Sequence, residues 1–142
     1  MCFIKIIKNN NIKPLIAKND ITVYKYTSEF TENSPYEASN SIFKSLVKGY
    51  DYHRDKENPT IELKPRFNPV SSFMVIEKGY HSYGNLKLTK KYYSRCYREG
   101  HRVYKTYFGK FIIPKGSKYY VSIQKYYGRK YVSSNIIYKG LV

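Results

Sequence analysis

Residues 21 to 27 read Ile-Thr-Val-Tyr-Lys-Tyr-Thr, with Ile, Val and Tyr alternating with Thr, Tyr and Lys. β-Branched and aromatic residues in a period of two predict a strand whose two faces meet different surroundings. Before it, Cys2 to Lys8 (CFIKIIK) predicts a first strand, broken by Asn9-Asn10-Asn11 and Pro14. After it, Ser34-Pro35 opens a turn, and Ile42 to Val47 reads either as a short strand or as a helical turn.

The segment 51–69 (DYHRDKENPTIELKPRFNP) holds three prolines and much of the early charge. It reads as a long loop, with two alternatives open: a segment without fixed structure, or a lid over a site. Phe73 to Glu77 (FMVIE) is a continuous apolar run and predicts a buried strand. Gly79-Tyr80-His81-Ser82-Tyr83-Gly84 reads as a turn leaving that strand. Asn85 then caps a helix to about Arg98, with Gly100 as its stop. Leu86, Leu88, Tyr92, Tyr93, Cys96 and Tyr97 are its expected inner face, and Lys90, Lys91, Arg95 and Arg98 its outer one. His101 to Ile113 alternates as a strand. Pro114-Lys115-Gly116-Ser117 reads as a hairpin turn with Pro second and Gly third. Tyr119 to Gln124 returns as a strand, Gly128 turns, and Val132 to Tyr138 closes the chain. No internal repeat is visible.

The expected architecture is α+β: a curved, mostly antiparallel sheet with one main helix at about 86–98. The 142 residues suit a single domain spanning 1–142, long enough to bury an ordinary core. Two cysteines, Cys2 and Cys96, are too few for a disulfide framework. Met1 to Ile7 is short for a secretory signal, and no stretch approaches the roughly 18 apolar residues of a membrane span. A cytoplasmic protein with reduced thiols and no membrane partner is expected.

Charge and tyrosine are concentrated in the second half. Residues 1–77 carry eleven Lys/Arg against nine Asp/Glu, a net of +2; residues 78–142 carry fifteen against Glu99 alone, a net of +14. Thirteen of the 18 tyrosines lie in that second part. A low-GC genome would enrich Lys, Asn, Ile and Tyr, but codon usage does not readily produce such a step within one chain. Lys90-Lys91-Tyr92-Tyr93, Lys118-Tyr119-Tyr120, Lys125-Tyr126-Tyr127 and Arg129-Lys130-Tyr131 interleave cations with aromatic rings. Cations neutralise phosphate and rings stack on bases, the combination of a nucleotide or nucleic-acid surface. In strands, some of these pairs are split between core and solvent.

His81 and Ser82 stand at a strand end before a helix. They would either contact a phosphate or ribose hydroxyl, or hydrogen-bond the turn and cap the helix. Pro114 to Ser117 lacks the GxxxxGK[ST] spacing of a phosphate loop and is expected to be a plain turn. His53, His81 and His101 share no ligand spacing and no CxxC occurs, so no metal and no cofactor are expected. No carboxylate follows Glu99, Cys96 reads as a buried helix residue, and Cys2 has no assignable base. An enzyme is not expected, and no catalytic residue is assigned.

Asn19 to Lys25, Gly79 to Tyr83, Ile113 to Tyr120 and Tyr131 to Ile137 together resemble a pattern (VYK…GYHSY…IPKGSKYY) in small phage and gut-bacterial proteins. Their order also resembles a degenerate ADP-ribosyltransferase-like scaffold. That resemblance implies Lys25 where the family grips NAD with Arg or His, and His81-Ser82 near its middle motif. With no late Glu, it implies a scaffold that holds nucleotide without transferring ADP-ribose. By analogy it is similar to Thoeris and CBASS anti-defence proteins that sequester signalling nucleotides. The expected function is therefore non-enzymatic capture of a small anionic nucleotide, with Tyr24 and Tyr83 stacking and Lys25, His81, Ser82, Lys118 and Arg129 as polar contacts. The alternatives are a basic nucleic-acid-binding accessory protein, and an inhibitor or virion protein docking on an acidic host protein. Oligomerisation is compatible with all three.

Overall fold

A computed structural model describes residues 2–5, 13–30, 39–44, 50–68, 73–76, 78–96, 104–126 and 128–142. The elements in chain order are β1 (Cys2–Lys5), β2 (Leu15–Ile16), β3 (Ile21–Phe30), β4 (Ile42–Lys44), β5 (Asp51–His53), β6 (Arg66–Asn68), β7 (Phe73–Ile76) and β8 (Tyr80–Tyr83). They continue as α1 (Leu86–Cys96), β9 (Tyr104–Ile113), β10 (Lys118–Gln124), β11 (Gly128–Ser133) and β12 (Ile137–Leu141). Among the described residues the fold is α+β, with antiparallel strand pairs in every sheet and one helix. A seven-stranded sheet runs β12-β9-β3-β8-β11-β10-β2, open at both ends, beside smaller sheets β1-β7-β6 and β4-β5.

The spine is the pairing of β3 with β9, continuous from Ile21 opposite Ile113 to Phe30 opposite Tyr104. The alternation that predicts β3 from sequence is the alternation of its two faces. Val23, Lys25 and Thr27 share one face with Phe111, Gly109 and Tyr107; Tyr24 and Tyr26 share the other with Lys110 and Phe108.

The first face carries the main core: Val23, Phe43, Tyr52, Tyr80, Phe111, Ile113, Tyr131, Ile136 and Tyr138, all buried. Phe111 is its hub, in edge contact with Phe43 at 5.2 Å and Tyr52 at 5.2 Å, and tilted against Tyr138 at 5.0 Å. β4 and β5 supply Phe43 and Tyr52 and so cover this face. Gly109 makes room for them: a Cβ there would stand 2.7 Å from the Phe43 ring. The opposite face holds a second cluster, where Ile76 of β7 meets Tyr120 and Val132, with Leu63 beside them.

Several expectations are corrected by the pairing. Tyr80–Tyr83 is not a turn but β8, a central strand between β3 and β11. Its flanking glycines and its His-Ser pair look like turn chemistry, but neighbours on both edges and both faces hold it extended. The turn at 114–117 has Pro114 first, not second: the Ser117 amide donates to the Pro114 carbonyl at 3.0 Å, and Gly116 is third with φ +89°. It is not a hairpin, because β9 and β10 lie four places apart in the sheet. The hairpin is β10–β11, one connection later. The strand expected at Val132–Tyr138 is the end of β11 and the start of β12, parted at Ser134-Asn135-Ile136.

Ile42–Lys44 is strand, resolving the alternative in that sense; 45–49 lie outside the described residues. So do the expected continuation of the first strand to Lys8, the turn at Ser34-Pro35, the helix beyond Cys96 with its stop at Gly100, and His101. The segment 51–69 begins with β5 and approaches its end with β6. Between them, backbone bonds pin it: Asp55 N to Tyr138 O and Ile61 N to Ser134 O, each 2.9 Å. Asn85 caps α1 as expected, its Oδ1 accepting from Leu88 N at 3.0 Å. The helix's inner face is only partly as predicted: Thr89 is fully buried, whereas Leu88 is exposed.

Candidate anion-binding face

The position of β8 decides which side chains meet. Tyr83 pairs with Tyr24 of β3 on one edge and with Lys130 of β11 on the other. Tyr24 in turn faces Lys110 of β9, and Lys130 faces Ser122 of β10. Directly paired residues share a face, so Lys110, Tyr24, Tyr83, Lys130 and Ser122 form one row across five strands. With strands about 4.8 Å apart, Lys110 and Lys130 stand about 14 Å from each other. Lys110 is exposed, Tyr24 and Lys130 are half-buried, and Tyr83 is buried. The Lys130 ammonium lies 5.3 Å above the centre of the Tyr83 ring, and Tyr26 tilts against the same ring at 6.1 Å.

This row occupies the strip of sheet between two covered regions. On one side, Val132 and Tyr120 are packed by Ile76 of the small sheet. On the other, α1 approaches: Lys90 lies over the Phe108 ring at 5.7 Å, and Gly128 abuts Asn85 and Leu88. Lys87, Lys90 and Lys91 of the helix are exposed. β3 brings Thr22, Tyr24 and Tyr26 to this side and no carboxylate, so its cations face no acid from that strand. Such a strip presents positive charge over aromatic floor.

The seven residues expected to bind ligand are placed as follows. Tyr24, Lys25, His81, Ser82 and Tyr83 come together where β3 meets β8, but on two faces. Tyr24, His81 and Tyr83 share the face of the row, and Lys25 and Ser82 face the main core. Tyr83 is too buried to offer its own ring face, which Lys130 covers. Lys25 Nζ donates to the His81 carbonyl at 2.5 Å and stands 5.4 Å from the Tyr52 ring centre. Ser82 Oγ is buried with no hydrogen-bond partner among the described residues. Arg129 is exposed at the far end of β8, where its carbonyl accepts from Gly84 N at 2.8 Å. Lys118 is exposed at the opposite end, beyond the Tyr119–Ser133–Tyr80 register, so it does not join the others. Lys110 and Lys130 are the contributors that sequence reasoning omitted. The signal was present, since both are lysines in alternating strands, but their adjacency to Tyr24 and Tyr83 depends on which strands pair.

Behind the row, tyrosine hydroxyls tie the 55–65 segment to the sheet. Tyr80 Oη donates to Pro59 O at 2.6 Å, Tyr50 Oη to Asn58 Oδ1 at 2.9 Å, and Asn58 Nδ2 to Ile136 O at 2.6 Å. Tyr138 Oη donates to Ser39 O at 2.6 Å. Burial disfavours phenolate here: it raises Tyr52 and Tyr80 well above the usual phenol range and pushes Tyr138 up to about 12. A folded-state pKa above the unfolded one stabilises below the unfolded value, near pH 10, and that stabilisation is lost as pH rises through the folded value. The urea midpoint is therefore expected to fall between pH 10 and 12, and less steeply in Tyr138→Phe. An alkaline limb identical in the variant would remove Tyr138 from this account.

Among the described residues, no three His, Cys, Asp or Glu side chains group to hold a metal, and no helix is long and apolar enough to cross a membrane. Fold and face together define a class: an α+β protein presenting a lysine- and tyrosine-lined strip of open antiparallel sheet. No family model, curated protein or solved structure matches the chain.

Proposed function

We propose that this protein binds a nucleotide-class anion on the Lys110–Tyr24–Tyr83–Lys130 strip and performs no chemistry on it. The observation that carries the reading is the cross-strand row itself, with a cation at each end of an aromatic pair and a basic helix on the same side. Phosphates would lie at Lys110 and Lys130, and the half-exposed edge of Tyr24 would meet the base or ribose. A protein that holds a nucleotide without turning it over acts by sequestering or delivering it. Sequestration of a host immune signal by a phage or mobile-element protein is one such role.

The test is titration of nucleotides and short oligonucleotides into wild type, Lys110→Ala and Lys130→Ala. Removing one charge-assisted hydrogen bond to phosphate should weaken binding about tenfold. Unchanged affinity in both variants would place the ligand elsewhere. Native mass spectrometry of protein purified in moderate salt identifies what it carries from the cell; co-purification of one acidic protein instead would favour a docking role.

A further inference from the structure

A second aromatic feature lies on the same side of the sheet, at the end of the β10–β11 hairpin. Tyr126, in the hairpin turn, stacks on Tyr92 of α1 with ring centres 5.4 Å apart and planes within 22°. Lys125 Nζ stands 5.5 Å from the Tyr126 ring centre. With both contacts made, Tyr126 is still 59% exposed. An exposed tyrosine on an ordinary turn samples several rotamers; this one is held by a ring on a helix, so little orientation is left to lose when a planar ligand stacks on it. Exposed Lys125 adjoins it in sequence and exposed Lys91 adjoins Tyr92, and Glu99 is the only carboxylate in the chain after residue 78.

The platform and the row belong to one path. Lys130 and Ser122 are the row's members on β11 and β10. The next pair of that ladder on the same face is Gln124 with Gly128, and the turn bearing Tyr126 follows. At about 3.4 Å per residue along a strand and about 4.8 Å between strands, Tyr126 lies roughly 10 Å beyond the row, whose five strands span about 19 Å. A single nucleotide does not cover both; a chain of several does. A duplex hides its base faces inside the stack, so a stacking platform requires unpaired bases.

We propose that the ligand of this side is single-stranded nucleic acid, with Tyr126, braced by Tyr92, as the platform for one unpaired base and Lys125 as the contact to its phosphate. This rests on the nucleotide-binding reading given above and narrows it.

The probe is an oligothymidylate 12-mer carrying one 2-aminopurine, titrated into the full chain in low salt. Wild type should bind it with quenching of the 2-aminopurine emission. Tyr126→Ala should bind about tenfold more weakly and lose the quenching, and Tyr126→Phe should retain both. Because Tyr126 is exposed, the thermal transition of each variant serves as the folding control. Tyr126→Ala binding with wild-type affinity and quenching overturns the platform, while weakened binding in Lys110→Ala would leave the broader reading standing. A duplex of the same length binding as tightly overturns the preference for single strands. Binding of free nucleotides without binding of the 12-mer overturns this inference and keeps the small-nucleotide reading; binding of neither overturns both.

Discussion

Phe111→Ala is expected to destabilise the protein by about 3–5 kcal/mol, the range for removing a fully buried aromatic ring from a core that relaxes only in part. Phe111 is 0% exposed and its ring touches Phe43, Tyr52 and Tyr138 together. Removing it costs its own burial and also takes from Phe43 of β4 and Tyr52 of β5 the ring that touches both. Those strands are short and pair with each other, and beside the Asp55 N–Tyr138 O bond it is these ring contacts that hold them on the main sheet. The expected readout is a thermal midpoint lowered on the order of 10 °C or more. Phe111→Leu, which keeps most of the apolar volume, should cost less than half as much. A change below about 1 kcal/mol for the alanine variant, the scale of an average point mutation, would show that the face is closed by something other than this ring cluster.

The second large effect concerns salt. Lys110 and Lys130 of the row, Lys90 and Lys91 of α1 and Lys125 of the hairpin turn bring five cations to one side of the sheet. If a single strand of nucleic acid lies along them, each neutralised phosphate releases condensed counterions. With five such contacts the affinity should fall by about 10² between 50 and 200 mM salt, against about tenfold for a free nucleotide with two or three phosphates. A plot of log affinity against log salt therefore separates the two ligand classes by slope, independently of any mutation. Lys110→Ala should lower the slope by about one contact. A steep slope unchanged in every one of the five single variants would move the binding surface to another part of the basic half.

Much of the fold was legible where the cause is local. The strand over Ile21–Thr27, a strand at Phe73–Ile76 and the Asn85 cap ahead of α1 follow their local signals, because period and capping chemistry act within a few residues. The misreadings fall where a neighbour decides. Tyr80–Tyr83 reads as a turn from its own residues and becomes a strand because β3 and β11 take up both of its edges. Pro114 to Ser117 is a turn on either reading, but whether the strands it joins are neighbours depends on the whole sheet order. Leu88, expected on the inner face of α1, is exposed, and Thr89, for which the apolar pattern made no place, is fully buried.

The candidate site divides in the same way. That the second half is basic and rich in tyrosine, that it carries a single carboxylate side chain, and that Tyr24, His81 and Tyr83 are worth attention follow from the order of residues alone. Which of them share a face does not. Lys25 and Tyr24 are adjacent in sequence and lie on opposite sides of a sheet, whereas Lys110, Tyr24, Tyr83 and Lys130 are scattered over 107 positions and stand in one line. Composition and local period specified the kinds of element and the charge they carry. Strand register, a long-range choice made by burying Val23, Phe111 and Tyr138 on one face, decided which charges and rings stand together on the other.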